Sequence, residues 1–377
     1  MPNSLPGRHL SKTRPFRWIE LAFFDTQLLR DWMADILERA QVPREDAILT
    51  ADFLLRSDAR GVGTHGISRL PAYVQKLHSG EVNSRPNISI HGASGLLTIE
   101  ADGALGQVAA ARALKHGLAR LALVPMVLCQ LRECGHLGAL GLYALAAAEA
   151  GAIAVVAQRT PPLVSMPGLA GPVIGNNPLA FACPIAGRAP LVVDMASSVA
   201  ARGHILLRAR TGEPIPEGWA VDGNGVPTTD ASAALEGALM PSGGHKGLAL
   251  AMLVELLAGA MTATPASIHA VQSQPKVATL GAVGRQSACI LLFNQQALGA
   301  DHAAQGADLA AQYLRAWSDD YLERGGSKAR LPGVRGDQLE KQTRVSGIQI
   351  AGSLLAELQQ LAVGSGIALP EALAEAA

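Results

Sequence analysis

The stretch Gly135-His136-Leu137-Gly138-Ala139-Leu140-Gly141 decides the fold. Val124 to Leu131 before it reads as a strand, and Leu142 to Ala150 after it reads as a helix. A glycine-rich turn between strand and helix is where a Rossmann unit seats a pyrophosphate on a helix N-terminus. Here, however, the spacing is GxxGxxG rather than GxGxxG, and no acidic residue ends a strand at the expected offset. The Rossmann reading is therefore rejected. His136 stands where strand meets helix, and it serves either a cleft or the structure of the loop.

Working outward, residues 26 to 58 read as two helices. Asp25 or Thr26 caps the first, where Leu28, Leu29, Trp32, Met33, Ile36 and Leu37 recur at helical spacing. Pro43 opens the second, which carries Ile48, Leu49, Phe53 and Leu54. A strand is expected over Ile88–Leu97, an amphipathic helix over Ala104–Ala122 and a strand over Ile153–Gln158. Prolines from Pro161 to Pro190 exclude long helices there, and Leu191-Val192-Val193 reads as a short buried strand ending at Asp194. Asp222-Gly223-Asn224-Gly225 is a turn. Lys246 to Ala263 is apolar on nearly every face and is expected to be a buried helix. Strands and helices alternate, so the class is α/β or mixed. Segment 264–280 lacks periodicity and reads as a surface excursion. The helices at 26–58 and 305–323 are expected to pack together as a subdomain.

Composition narrows the function. In 377 residues, 49% are hydrophobic and only 16% charged, which describes a well-buried globular chain. Lys+Arg and Asp+Glu are 31 each, so nothing suggests the basic footprint of a nucleic-acid binder. Cys129, Cys134, Cys183 and Cys289 form no CxxC pair and no zinc spacing, as expected of reduced cytoplasmic thiols. Residues 1 to 20 are basic, contain early prolines and lack an apolar core, so they read as a loose extension rather than a secretory signal. The most apolar run, Leu248–Met261, is too short to span a bilayer and contains Glu255, so no membrane partner is expected.

Four constellations carry chemistry. In Thr64-His65-Gly66-Ile67-Ser68-Arg69, His65 and Arg69 are four apart and would share one face of a helical turn. An imidazole donates protons near neutral pH, and a guanidinium fork grips a carboxylate. The same spacing also fits a capping histidine and a surface arginine. The loop around His136 is the second constellation. Cys134, two residues away, invites a hydrolase reading that no motif supports. Third, Asn177 precedes Pro178 and should be held extended with a free amide, while Asp194-Met195-Ala196 closes a buried strand. Asp194 suits either the orientation of an imidazole or the capping of a helix. Fourth, Gly243-Gly244-His245-Lys246-Gly247 opens the apolar helix with flexible backbone and a cation, an anion site of the kind that holds a cofactor phosphate. It is not a Walker A loop, because Gly247 follows the lysine and Pro241 stands five residues before it.

Taken in order, five segments resemble the type 2 malate/L-lactate dehydrogenase family. They are RSDARGVGTHGISRLPAYVQKLHSGEVN (56–83), GHLGALGLYAL (135–145), GNNPLAFACP (175–184), VVDMASSVAARG (192–203), and PIPEGWAVDGNGVPTTD with ALEGALMPSGGHKGLALAMLVELLAG up to 259. The family also contains ureidoglycolate, sulfolactate and 2,3-diketogulonate oxidoreductases and the Δ1-piperideine-2-carboxylate/Δ1-pyrroline-2-carboxylate reductases.

The resemblance implies a three-layer α/β fold of the sulfolactate-dehydrogenase type. Its sheet is mixed and largely antiparallel, it binds NADPH or NADH without a Rossmann domain, and it forms homodimers. The implied division is a substrate subdomain from 21–100 with 305–377 and a cofactor domain over 101–304. His65 matches the family's proton donor, with Thr64 in place of the usual serine. Arg69 matches a ligand of the substrate carboxylate, and His136 a second catalytic histidine, a proton acceptor in some members. Asp194, Met195, Ala196, His245, Lys246 and Gly333, together with Asn177 of the GNNP segment, fall in cofactor-binding segments, with Asp194 also near the substrate. The family often reads PGE where this chain has Pro332-Gly333-Val334, and QSACILLFNQQ replaces the usual strand. The implied reaction is hydride transfer to C2 of a small 2-oxo carboxylate or, alternatively, of a cyclic 2-imino carboxylate. Arg208 and Arg210 are candidates for a 2′-phosphate of NADPH.

Overall fold

The computed structural model describes residues 21–264, 286–298 and 306–373. The extension at 1–20 and all but the first residue of the expected excursion at 264–280 lie outside them. The chain opens with β1 (Leu21–Phe24), α1 (Thr26–Arg39) and α2 (Arg44–Ala59). Asp25 caps α1, its carboxylate accepting from the N–H groups of Gln27 and Leu28, a cap worth about 1 kcal/mol. Leu29, Trp32, Met33, Ile36 and Leu37 form the buried stripe of α1. After α3 (Leu70–His78), the segment expected as one strand is a hairpin, β2 (Ser89–Ala93) and β3 (Leu96–Glu100). Ser94, at φ +51°, turns the chain between them.

Next come α4 (Gly106–Leu121), β4 (Met126–Cys134), α5 (Leu140–Glu149) and β5 (Ala152–Arg159). The proline-rich region supplies β6 (Pro162–Val164), β7 (Ile174–Gly175), β8 (Leu179–Cys183) and β9 (Leu191–Met195). Then follow α6 (Arg202–Thr211), β10 (Ala220–Val221), β11 (Pro227–Thr228), α7 (Ala231–Glu236) and β12 (Ala238–Leu239). Helix α8 (His245–Val254) continues through a π turn (Glu255–Gly259) and a 3-10 turn (Ala260–Thr262). The remaining elements are β13 (Gln286–Asn294), α9 (Gln295–Leu298), α10 (Gly306–Gly325), α11 (Val334–Ser346), β14 (Ile348–Ala351) and α12 (Gly352–Ser365).

The main sheet has seven strands in the order β2-β3-β4-β13-β5-β8-β9. Only β3 and β4 run parallel; the other pairs are antiparallel. A Rossmann sheet is parallel, so its rejection holds. QSACILLFN is itself a strand, the central one. Ala288, Ile290 and Leu292 enter the core shared with α4 and α5, while Cys289 packs with Val254 and Ala258 on the other side. This period of two makes three layers, with helices on both faces of the sheet. A smaller sheet, β11-β10-β12-β6-β7, stands beside it.

The two chain ends meet through β1 and β14, paired from Leu21↔Ala351 to Phe24↔Ile348. Leu358 and Ala362 of α12 share a core with α1, α2 and α3. Among the described side chains, none of helix α10 joins that cluster, unlike the pairing expected for 305–323. Arg188 pairs with Asp319, Arg315 donates to the Ala186 carbonyl at 3.0 Å, and Leu322 packs with Ile185, Leu191 and Leu331. The β2–β3 hairpin is part of the main sheet.

Helix α8 corrects a second expectation. Gly247, Ala251, Val254 and Ala258 are buried, but Leu250, Met252, Leu253 and Leu256 on the opposite side are exposed. By length and composition alone the 18 residues His245–Thr262 are apolar enough to cross a membrane. Their inner face lies on the sheet instead. An apolar outer face says nothing about burial until a neighbour is present to cover it.

Candidate active site

His65 and Arg69 do not share one helical turn. Two 3-10 turns, Gly63–His65 and Ile67–Arg69, are joined at Gly66, whose ψ is −146°. Asp58 of α2 forces this break. Its Oδ2 accepts from the Ile67 N–H at 2.6 Å, and a Cβ on Gly66 would lie 2.1–2.2 Å from the carboxyl group. Only glycine allows so close an approach. Burial pushes the Asp58 carboxyl up to about 7, against the stabilising Ile67 N–H.

Within the turn, the Thr64 hydroxyl lies 3.0 Å from His65 Nδ1, and Arg69 Nε donates to the Thr64 carbonyl at 2.6 Å. Thr64 thus spends its polar groups on its neighbours. Arg69 is anchored through Nε, and its terminal nitrogens make no hydrogen bond to the described residues. They form an end-on fork for a carboxylate. Burial first, and the Arg69 charge second, pull His65 down to about 4.

The His136 loop comes up against this turn. The His65 and His136 rings stack with centroids 5.6 Å apart. The loop is pinned at several points. Gln158 accepts from Leu137 N–H and donates to the Gly135 carbonyl, both at 3.1 Å, and the Tyr143 hydroxyl donates to the Leu137 carbonyl at 2.7 Å. Tyr73 of α3 places its hydroxyl 3.0 Å from His136 Nδ1. Burial, then the charges of His65, Arg69 and Lys76, hold His136 down at about 3. Both imidazoles are therefore neutral at pH 7 in the free protein. Beside His136 a small solvent-open cleft is bounded by Tyr73, Lys76, Leu105 and Gln286, and neither His65 nor Arg69 lines it. Cys134 also borders it but is no nucleophile: burial pushes its thiol up to about 12.

Asp194 makes no hydrogen bond to an imidazole among the described residues. Its Oδ2 accepts from Gly141 N–H at 2.8 Å in the first turn of α5. This is the capping role, supplied across the sheet from β9. Gly141 is obligatory there, since a Cβ would come within 2.9 Å of Asp194. Desolvation by the surrounding chain raises the Asp194 carboxyl, opposed by that N–H.

Asn177 is also not as expected. It has φ +32° rather than an extended backbone, and its amide is not free. Oδ1 accepts from Thr160 N–H at 2.9 Å, and Nδ2 donates to the Ala251 carbonyl and to Glu255, both at 3.0 Å. It fastens α8 to the sheet and has no donor left for a cofactor.

Met195 and Ala196 are exposed, and the structure brings their segment beside the start of α8. Ser242 N–H donates to the Ser197 carbonyl at 2.7 Å, and Val199 N–H to Met240 at 2.9 Å. Gly243 and Gly244 both have φ +63°, with open space at their Cβ positions. His245 and Lys246 are exposed on the first turn, and Lys246 Nζ makes no hydrogen bond to the described residues. A helix N-terminus, a cation and open space fit a dinucleotide phosphate.

Gly333, at φ +96°, lies against β9. The Pro332 carbonyl accepts from Val192 N–H at 3.1 Å, and a Cβ would meet Val192 N at 3.0 Å. Val334 packs with Ile185 and Leu191. Arg208 donates through Nη1 to the Pro214 carbonyl at 2.6 Å and lies over the Trp219 ring.

Sequence reading missed Asp58, Tyr73, Gln107 and Gln158. For Tyr73 a signal existed, since His65, Arg69 and Tyr73 recur every four residues. Gln107 and Gln158 are buried polar residues whose partners are distant in sequence, so no local pattern marks them.

A model of the malate/L-lactate dehydrogenase family matches residues 24–359. The (2R)-3-sulfolactate dehydrogenase (NADP(+)) of Chromohalobacter salexigens is 32% identical over 87% of this chain and 94% of that protein. The Δ1-pyrroline-2-carboxylate/Δ1-piperideine-2-carboxylate reductase of Pseudomonas aeruginosa is 34% identical over 88% and 97%. The solved Δ1-piperideine-2-carboxylate reductase of Pseudomonas syringae superposes with a TM-score of 0.79 at 29% identity, covering 90% of this chain and 99% of that one. The chain belongs to the malate/L-lactate dehydrogenase family, a class of NAD(P)-dependent oxidoreductases.

Proposed function

We propose that this enzyme reduces C2 of a small 2-oxo carboxylate with NADPH or NADH. The observation that carries this reading is the Arg69 fork, anchored through Nε beside two stacked neutral histidines. When bound, the nicotinamide supplies a hydride. Arg69 holds the carboxylate and so fixes C2. His65, four residues away, donates the proton to the oxygen that gains charge. The anion on Arg69 favours the protonated imidazole, so substrate arrival arms the acid. Lys246 and the first turn of α8 hold a cofactor phosphate beside Met195 and Ala196, and Asp194 keeps the His136 loop in place.

A second reading, reduction of a cyclic imine, draws support from the 34% identity to the reductase of Pseudomonas aeruginosa. Both readings use the same carboxylate grip. Oxidation of NADPH and NADH, followed at 340 nm against pyruvate, oxaloacetate, 2,3-diketogulonate and the two cyclic imines, separates them. Turnover of an imine alone overturns the 2-oxo reading. Silence across the panel without cofactor binding overturns both.

We also propose a cytoplasmic homodimer. The exposed apolar face of α8 supports the dimer, and four free cysteines agree with a reducing compartment. Sedimentation of wild type against Leu256→Asp tests the dimer, and a monomeric wild type refutes it.

A further inference from the structure

His136 is connected to more than the loop that carries it. Tyr73 OH lies 3.0 Å from its Nδ1, and Gln107 Nε2 lies 3.0 Å from the same hydroxyl. Gln107 Nε2 also lies 3.2 Å from the Leu137 carbonyl and 3.3 Å from the His136 carbonyl. Gln107 is fully buried and Tyr73 nearly so, so the direction of each hydrogen bond matters.

Carbonyl oxygens only accept. The edge of the Gln107 amide that faces two of them is therefore the NH₂ edge. The reverse orientation would press Oε1 against both carbonyls and leave two N–H donors without acceptors. The two NH₂ hydrogens serve three acceptors: one is shared between the two backbone carbonyls and the other goes to Tyr73, the shortest contact at 3.0 Å, where the phenol oxygen accepts, while Oε1 is left buried without a partner among the described residues. The phenol hydrogen then has one acceptor among the described residues, His136 Nδ1. If Nδ1 carried the proton instead, Tyr73 would accept twice and bury its own hydrogen unpaired, which folded proteins avoid. Nδ1 is thus a bare acceptor, and the neutral ring carries its proton on Nε2. Nε2 has no hydrogen-bond partner among the described residues, and the ring stacks on His65 with centroids 5.6 Å apart.

We propose that Tyr73 and Gln107 are positioning residues that lock His136 as the Nε2–H tautomer, so that it meets substrate as a hydrogen-bond donor and not as a proton acceptor. The proposal rests on the reductase reading for its catalytic meaning, but the tautomer itself does not. As hydride reaches C2, negative charge grows on the substrate oxygen. A neutral N–H fixed in advance stabilises that charge without giving up its proton. His65 remains the proton donor, and the two histidines divide the work. A protonated His136 would need a second acceptor at Tyr73, so the relay also opposes formation of the imidazolium.

The test is a long-range ¹H–¹⁵N correlation spectrum of the full-length protein labelled at histidine nitrogen, with His136→Gln used to assign the signal. Wild type should show His136 protonated on Nε2 with an accepting Nδ1. Tyr73→Phe removes the donor, and Gln107→Met frees the phenol to accept. Each should convert the signal to a mixture of tautomers. With the substrate found in the 340 nm panel, Tyr73→Phe should lower kcat by about 10²-fold, the scale of losing one oxyanion donor, with KM within about threefold. A wild-type His136 protonated on Nδ1 overturns the proposal. So does an unchanged tautomer in both variants. Neither result depends on turnover, so an inactive panel with the Nε2–H tautomer intact would indict the reductase reading alone.

Discussion

Binding of oxamate, an unreactive analogue of a small 2-oxo carboxylate, should draw one proton onto His65. Free His65 is held at about 4, by burial first and the Arg69 charge second. A carboxylate on Arg69 cancels the second cause and adds a negative charge of its own. At about 5 Å and an effective dielectric constant of about 20, that charge is worth about 3 kcal/mol, or about 2 pKa units. His65 then titrates near 6 in the complex. A group moved from about 4 to about 6 makes binding about tenfold tighter at pH 5 than at pH 8. Asp58, raised to about 7 by burial, also ionises in this range, so the effect must be traced to His65 itself. Isothermal titration of the NADH-saturated protein, in buffers of different ionisation enthalpy, counts the protons. About 0.8 proton should be taken up near pH 5, and His65→Gln should flatten both curves while lowering turnover by ~10²–10⁴-fold. A pH-independent affinity without proton uptake would refute the reasoning, as would an identical dependence in His65→Gln.

Three further outcomes follow from the geometry. Gly141→Ala puts a Cβ 2.9 Å from Asp194 and displaces the carboxylate from the Gly141 N–H. A lost charge-assisted bond of about 1.5–3 kcal/mol, less about 1 kcal/mol of helix propensity, leaves a net loss visible as a lower urea midpoint; a raised midpoint would contradict the capping role. Glu340 lies between Arg56 at 3.1 Å and Arg60 at 2.6 Å, tying α11 to α2, so Glu340→Gln should cost about 1.5–3 kcal/mol by urea unfolding, and an unchanged midpoint would show that the tie carries nothing. The third concerns acid stability. His65 is depressed from 6.5 to about 4, so the unfolded chain binds the extra proton between those values, and stability falls as pH drops through that window. His65→Gln should therefore gain on wild type below about pH 6.5, by at most about 1.4 kcal/mol per pH unit. Asp58 has the opposite sign: raised from 3.8 to about 7, it contributes stability that is lost as pH rises through that window, so Asp58→Asn should gain on wild type as pH rises. Parallel stability–pH curves for the three proteins would exclude both assignments.

Local patterns were legible where local physics decides. Asp25 before an apolar stripe marks a capped helix, and GxxGxxG without a partner acid excludes a Rossmann turn, because both arguments concern residues within a few turns of one another. The central strand β13 was not legible in this way. Its place between β4 and β5 depends on Ile290 meeting Cys129 and Val156, partners more than 130 positions away that no window of sequence contains. Helix α8 failed for a related reason: a side chain's apolarity states what it prefers, and only the fold states which neighbours are available. The site residues divide along the same line. His65, Arg69, His136 and Asp194 were visible by residue type, but their roles depend on partners supplied from elsewhere in the chain. Asp58 breaks the turn under Gly66, Gln107 sets the direction of the Tyr73 hydrogen bond, and Gly141 takes the Asp194 carboxylate that sequence reading left between an imidazole and a helix cap. A motif names the groups that do chemistry. Whether an imidazole gives a proton or only shares one is decided by the buried amides and phenols behind it, and those come from distant helices.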